Sequence, residues 1–192
     1  NGQVRLEGNF KDGKEDGKWI SYYENGQVKK EENYKDGYKA GQWKTYNEDG
    51  SKVGLWISYY ENGQVKKEEN YMDDKLEGIM ISYHENAMIK VEGNYKDGEF
   101  YISNAWDKDG EVLVSDGNGK WVFYHENGQV ESEGNFENGN KVGKWAVYYA
   151  NGQIRGEKNY NKDGSKDGQW IYYYENGQIA KEENYKDGEK VG

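Results

Sequence analysis

Few residues in this sequence are of a type that could do acid–base work. His84 and His125 are its 2 histidines, and both stand in Tyr-His-Glu-Asn, at the place of the second tyrosine of a recurring Tyr-Tyr-Glu-Asn. Each replaces an aromatic in register, whereas catalysis needs distinct groups with tuned pKa values gathered within reach of one another. The carboxylate pairs Glu31-Glu32, Glu68-Glu69 and Glu182-Glu183 recur, but neighbours along a strand point to opposite faces, so the two members cannot act together. No serine lies in a Gly-x-Ser-x-Gly setting, which removes the nucleophile elbow. The run with metal-ligand character is Asp107-Lys108-Asp109-Gly110-Glu111, followed by Asp116-Gly117-Asn118-Gly119. Asp107, Asp109 and Asp116 would offer calcium closely spaced oxygens, but Gly110 falls at the fourth position where an EF-hand loop needs glycine at the sixth. A hairpin turn with a polar connector accounts for the run equally. The expectation is a chain that is not an enzyme and takes no cofactor.

The elements that would position any site must be built from an unusual composition. Only 33% of the 192 residues are hydrophobic and 32% are charged, yet 19 Tyr, 7 Trp and 4 Phe make 16% aromatic. Such a chain cannot build a thick aliphatic core, but aromatic side chains bury large areas at small rotamer cost and can hold a thin layer. Proline and cysteine are absent, so disulfides and thiolate metal sites are excluded and turns rely on Gly, Asn and Asp. No run approaches the ~20 apolar residues of a membrane helix. The formal charge of −10 repels nucleic acid and anionic lipid and favours basic partners. Lysines interleaved with aromatics resemble a single-strand nucleic-acid platform, but that charge opposes it. Neither a nucleic-acid nor a membrane partner is expected.

A repeat governs the whole chain. Gly-x-Trp anchors occur at Trp19, Trp43, Trp56, Trp121, Trp145 and Trp170, with Met80 and Phe100 in the same slot, at spacings of 24, 13, 24, 20, 21, 24 and 25 residues. The ideal unit is 24 residues. Between Trp43 and Trp56 about a strand and a turn are missing, which predicts a local break in hairpin pairing near 43–55. The chain opens inside the motif at Asn1-Gly2-Gln3 and ends at Val191-Gly192, where another tryptophan is due. This reads as a single array, 1–192, cut from a longer repeat protein.

Each unit reads as a β-hairpin. Asn25-Gly26, Asn62-Gly63, Asn127-Gly128, Asn151-Gly152 and Asn176-Gly177 are the dipeptides of a two-residue type I′ turn, which needs φ > 0 at both central positions. Asp109-Gly110 is a near equivalent, and Asn86-Ala87 departs from the pattern and should strain its turn. That register sets Tyr23 opposite Val28 and Trp19 opposite Glu32. It collects Trp19, Tyr23, Val28 and Tyr34 on one face, with Ile20, Tyr22, Lys29 and Glu31 on a wetter one. Lys-Asp-Gly segments then join hairpin to hairpin. The fold class is all-β: an elongated single-layer meander of tandem antiparallel hairpins, without a central core. Its edge strands would invite pairing with another chain, including a second copy.

Gly-x-Trp-x-x-Tyr-Tyr-x-Asn-Gly-Gln followed by Glu-x-Asn-Tyr-Lys-Asp-Gly resembles the MORN-repeat variant of bacterial proteins, among them the YwqK-type antitoxin-like repeat proteins. The resemblance covers nearly the whole chain. It implies a hairpin array used for protein association, in some members as an antitoxin or immunity protein and in others as a secreted or surface repeat protein. The reading is a non-catalytic interaction module presenting Trp19, Tyr23, Tyr34, Trp56, Tyr60, Tyr71, Trp121, Trp145, Tyr149, Trp170 and Tyr174 to a protein partner, such as a basic toxin or a surface receptor. The alternative is a structural or cell-surface stalk or adhesin. The bacterial cytoplasm and the cell surface both stay open as compartments. The irregular places, near 43–55 and at 100–117, are where a specific contact is expected first.

Overall fold

The computed structural model describes residues 5–125 and 127–191. Asn1-Gly2-Gln3 and Gly192, where the repeat pattern runs to the two ends, lie outside the described residues, as do Val4 and Glu126. The chain forms tandem antiparallel hairpins in two compact units, 1–100 and 101–192, with no helix among the described residues. The first unit holds β1 (Leu6–Glu7), β2 (Phe10–Lys11), β3 (Lys14–Glu15), β4 (Gly17–Tyr22), β5 (Val28–Lys35), β6 (Tyr38–Lys39), β7 (Gln42–Thr45), β8 (Gly54–Tyr59), β9 (Val65–Met72), β10 (Lys75–Tyr83) and β11 (Ile89–Lys96). β12 (Glu99–Trp106) begins at its last residues. The second unit continues with β13 (Val112–Ser115), β14 (Asn118–Tyr124), β15 (Val130–Glu137), β16 (Asn140–Tyr148), β17 (Ile154–Tyr160), β18 (Gly168–Tyr173), β19 (Ile179–Lys186) and β20 (Glu189–Lys190).

The expected hairpins form, and Trp19 stands opposite Glu32. The turns, however, exchange roles. At Asn25-Gly26 only the glycine has positive φ. The Gly26 amide donates to the Tyr23 carbonyl and the Tyr23 amide to the Gln27 carbonyl, while the Gln27 amide bonds Asn25 Oδ1. This is a type I turn closed by a left-handed glycine, the three-residue hairpin loop, and not a type I′ turn. The longer loop moves the register by one residue beside it, so Val28 faces Tyr22 rather than Tyr23, and Tyr23 pairs with Gln27. Lys29 is the bulged residue, and its ammonium lies 5.5 Å from the Tyr23 ring centroid, on the tryptophan side rather than the wetter one. The type I′ turns are the connectors between hairpins. Asp36-Gly37, Asp97-Gly98, Asp116-Gly117, Asn138-Gly139 and Asp187-Gly188 have positive φ at both residues, as does Asp73-Asp74.

Pairing does not break near 43–55. β7 pairs with β5 through Lys30–Thr45 and Glu31–Lys44, and with β8 through Trp43–Ile57. One strand thus serves as the return of one hairpin and the start of the next. The register moves by two residues between Trp43–Ile57 and the Tyr46–Lys52 bridge, and the loop 47–51 closes with the same two backbone bonds as the other turns. The hairpin at 107–111 also has them: Asp107 donates to Glu111 and Gly110 to Asp107. Its acidic turn is therefore geometrically the common one.

Packing departs from a coreless layer in the second unit. Ala105 and Val114 are 0% exposed, with Ile102, Phe123, Phe136 and Val142 buried beside them in the sequence of strands. Close approach of connectors permits this. The Gly139 amide donates to the Gly117 carbonyl, and a Cβ on Gly117 would come within 2.4 Å of the Gly139 nitrogen. Any side chain there would push the two turns apart.

Candidate interaction surface

On the tryptophan side, rings pack against rings from one strand to the next. Phe10–Trp19, Trp19–Tyr34, Tyr34–Trp43 and Trp43–Tyr59 run at 5.0–6.4 Å between centroids. Because Trp43 stands opposite Ile57, this series passes at β7 onto the face of Ile57 and Glu68, while Trp56 continues the face of Glu31 and Lys44. Trp56 lies between Tyr46 and Tyr71, Trp145 between Trp121 and Phe136, and Trp170 between Tyr160 and Tyr185. Most indoles also donate to the strand before them: Trp43 to the Asn33 carbonyl, Trp56 to Thr45, Trp145 to Asn135 and Trp170 to Asn159. The Trp19 indole nitrogen is buried without a partner. Lysines cover the rings from outside, Lys39 at 4.2 Å from Trp43, Lys141 at 4.5 Å from Trp145 and Lys166 at 4.9 Å from Trp170. Burial and the neighbouring Lys158 hold the Lys141 ammonium below its ordinary pKa.

The second tyrosine of each unit is a staple. Tyr23, Tyr60 and Tyr149 donate to the carbonyls of Tyr46, Tyr83 and Tyr173 in the next unit. His125 does the same through Nε2 to the Tyr148 carbonyl, so the histidine keeps the tyrosine's bond as well as its place. Of the aromatic residues singled out in the sequence, Trp145 and Trp170 are buried at 3% and 5% exposure. Trp19, Tyr23, Tyr34, Trp56, Tyr60, Tyr71, Trp121 and Tyr149 are half-buried. Tyr174 alone of them is exposed.

The opposite face carries a periodic row that the sequence reading placed only as wetter. In the second unit Val122, Glu133, Ala146, Glu157, Ile171 and Glu182 stand directly opposite one another in successive strands. Aliphatic and acidic rungs alternate, so a carboxylate returns every second strand, about every 9.6 Å. The first unit repeats the pattern as Ile57, Glu68, Ile81 and Glu92. Tyrosines flank the row. Tyr148 donates to Glu133 at 2.6 Å, which together with burial pushes its hydroxyl up to about 12. Tyr173 donates to Glu157. A lysine just before the anchor position pairs with the glutamate: Lys18 with Glu31 at 2.7 Å, and Lys144 with Glu157. The Lys144 bond holds Glu157 below the usual carboxylate range. Each row glutamate thus faces away from its chain neighbour, for Glu32 and Glu69 are bonded to Lys30 and Lys67 beside the tryptophans.

The acidic residues at 107–116 are spent on their own turns. Asp107 Oδ1 accepts the amides of Asp109 and Glu111, both at 2.9 Å, which lowers its pKa. Asp109 pairs with Lys108, and Asp116 starts a connector. Among the described residues no three metal-ligating side chains of His, Cys, Asp or Glu come together. Among the described residues there is no helix long and apolar enough to cross a membrane.

Fold and surface together define a tandem hairpin repeat protein whose hairpins carry aromatic packing on one face and alternating acid and aliphatic residues on the other. Six stretches, 15–36, 52–73, 76–97, 117–138, 141–162 and 166–187, match the MORN repeat variant and cover more than half of the chain, which belongs to that family. Repeats of this family are protein- or membrane-interaction modules and generally non-catalytic scaffolds. The stretches between the matches at 37–51 and 98–116 hold β7 with its loop and the short β12–β13 hairpin. No curated protein matches the chain.

Proposed function

We propose that this chain is a non-catalytic binding module whose acid-and-aliphatic face takes up a basic protein partner, in the manner of an antitoxin neutralising a basic toxin. The observation that carries the reading is the Val122–Glu133–Ala146–Glu157–Ile171–Glu182 row. Its carboxylates attract cations from a distance and its aliphatic rungs offer contact once the partner has arrived. The tryptophan side supports the same choice, because its rings are engaged with one another and with lysines. The test is co-purification from the native source, with mass spectrometry, using wild type and an E133Q/E157Q/E182Q variant. A basic protein should bind the wild type, release as salt rises, and be lost from the variant while its circular dichroism is unchanged. Undiminished capture by the variant would sink the reading.

A further inference from the structure

On the tryptophan side of the second unit one hairpin reverses a charge. Glu32 stands opposite Trp19, Glu69 opposite Trp56 and Glu183 opposite Trp170, but Lys158 stands opposite Trp145. Glu183 shows what the glutamate does. Its Oε1 lies 2.8 Å from the Lys181 ammonium and 3.0 Å from that of Lys190. One hairpin earlier the same register puts Lys158 in the place of Glu183 and Gly156 in that of Lys181. Lys166, bridged to Tyr160, stands where Lys190 pairs with Tyr185. The carboxylate is gone and its cation remains. Two ammonium groups are then held against one indole, Lys158 at 5.1 Å and Lys166 at 4.9 Å from the Trp170 ring centroid. Lys141, Arg155, Lys158 and Lys166 make no ion pair among the described residues. Burial holds the Lys158 ammonium below its ordinary pKa, and the charges of Arg155 and Lys166 add to the effect. Lys166 is exposed and Lys158 half-buried, so the cluster can be reached from solvent. Tyr172, opposite Gly156, lies beside it with its ring 5.7 Å from the Lys158 ammonium.

Cations gathered without an anion repel one another, and the fold carries that repulsion as a cost until an anion arrives. We infer that this cluster docks an acidic protein segment, one carboxylate of which takes the place of the repeat's missing glutamate between Lys158 and Lys166. The occupant is a carboxylate because the chain's own Glu183 fills the equivalent position in the next hairpin. A charge-assisted bond made beside packed rings is stronger than one in open water. The net charge of −10 does not forbid the contact. Charges more than about 8 Å away are largely screened at physiological ionic strength, whereas the touching lysines are not. Lys141 and Arg155 suit a segment with a second acid, and an extended chain turns alternate side chains to one side. Lys158 and Glu157 are chain neighbours on opposite faces, so the site lies across the sheet from the Glu133–Glu157–Glu182 row and does not rest on the role given to that row.

The probe is a fluorescent synthetic peptide with glutamate at alternate positions and serine and leucine between, read by anisotropy against the full chain at about 0.15 M salt. The control peptide has glutamine in place of each glutamate. The decisive variant is Lys158→Glu, which restores the residue that other repeats carry opposite the tryptophan and so keeps the fold; Lys166→Gln is the second. The glutamate peptide should bind and the glutamine peptide should not. Each variant should weaken binding by about tenfold or more with circular dichroism unchanged. The E133Q/E157Q/E182Q variant should bind the peptide at least as tightly as wild type, which separates this site from the acidic row. Equal binding of the two peptides, unchanged affinity in either lysine variant, or no binding at all would overturn the inference. So would inorganic phosphate or phosphatidylglycerol vesicles that bind wild type, fail to bind Lys158→Glu, and are not displaced by the glutamate peptide.

Discussion

Ala87 occupies the turn position that Gly26, Gly63, Gly128, Gly152 and Gly177 fill in the sister hairpins, with φ of 66° against 81–86° for those glycines. A side chain with a Cβ costs about 1–2 kcal/mol in the left-handed region, partly offset because glycine is freer when unfolded. Ala87→Gly should therefore stabilise the fold by about 0.5–1 kcal/mol, seen as a higher urea midpoint at unchanged slope. Trp145 is the opposite case. It is 3% exposed between Trp121 and Phe136, and Trp145→Ala should cost about 3–5 kcal/mol in the same measurement. Glu183 is a carboxylate only 8% exposed, and hydrogen bonds from Lys181 and Lys190 hold its pKa down to about 2. A depressed acid stabilises the fold above its unfolded value and loses that contribution as pH falls toward the folded one. Stability should drop between about pH 4.3 and 2, and Glu183→Gln should flatten that part of an acid titration followed by circular dichroism.

Among the elements, the loops at 47–51 and 161–165 are copies in bonding as well as in sequence. Asn47 reaches Ser51 and Asp73, and Asn161 reaches Ser165 and Asp187, each tying a loop to the connector of the next hairpin. Asn161→Ala should cost about 0.5–1.5 kcal/mol in thermal or denaturant unfolding, and Asn47→Ala the same. The hairpins themselves were legible, because the Trp19–Glu32 register follows from alternation and from the fixed distance to the turn. The turn type was not. Asn-Gly suits both a type I′ turn and a type I turn closed by glycine, and it takes the backbone, with positive φ at Gly26 but not at Asn25 and Tyr23 bonded to Gln27, to distinguish them. β7 was read as a gap because a strand that serves two hairpins leaves no second copy of itself. The aromatic side was legible as a face, but not that its rings would satisfy one another. The other face was legible only as a wetter one, because its glutamates line up with aliphatics only across strands, Glu133 against Ala146 and Glu157 against Ile171.

At the scale of the whole molecule, stability is distributed over repeated contacts rather than held in one centre, so a repeated titrating group should act many times over. Tyrosine is that group. Tyr148 and Tyr160 are pushed up to about 12, the first mainly by its bond to Glu133 and the second by burial. Burial also raises Tyr34, Tyr59, Tyr71, Tyr95 and Tyr172. A raised pKa means that the fold favours the neutral phenol more than the unfolded chain does. Its contribution is complete below the unfolded value of about 10 and is lost as pH rises through the folded one. Each ionisation also adds negative charge to a chain already at −10. The protein should therefore unfold between about pH 10 and 12, with tyrosinate absorbance and loss of β circular dichroism rising together. Tyr160→Phe removes one of the most shifted hydroxyls while keeping the ring that packs on Trp170. It should move the transition to higher pH. A transition at the same pH in that variant, or tyrosinate appearing well before the β signal falls, would show that the tyrosine contacts do not govern the alkaline limit of the fold.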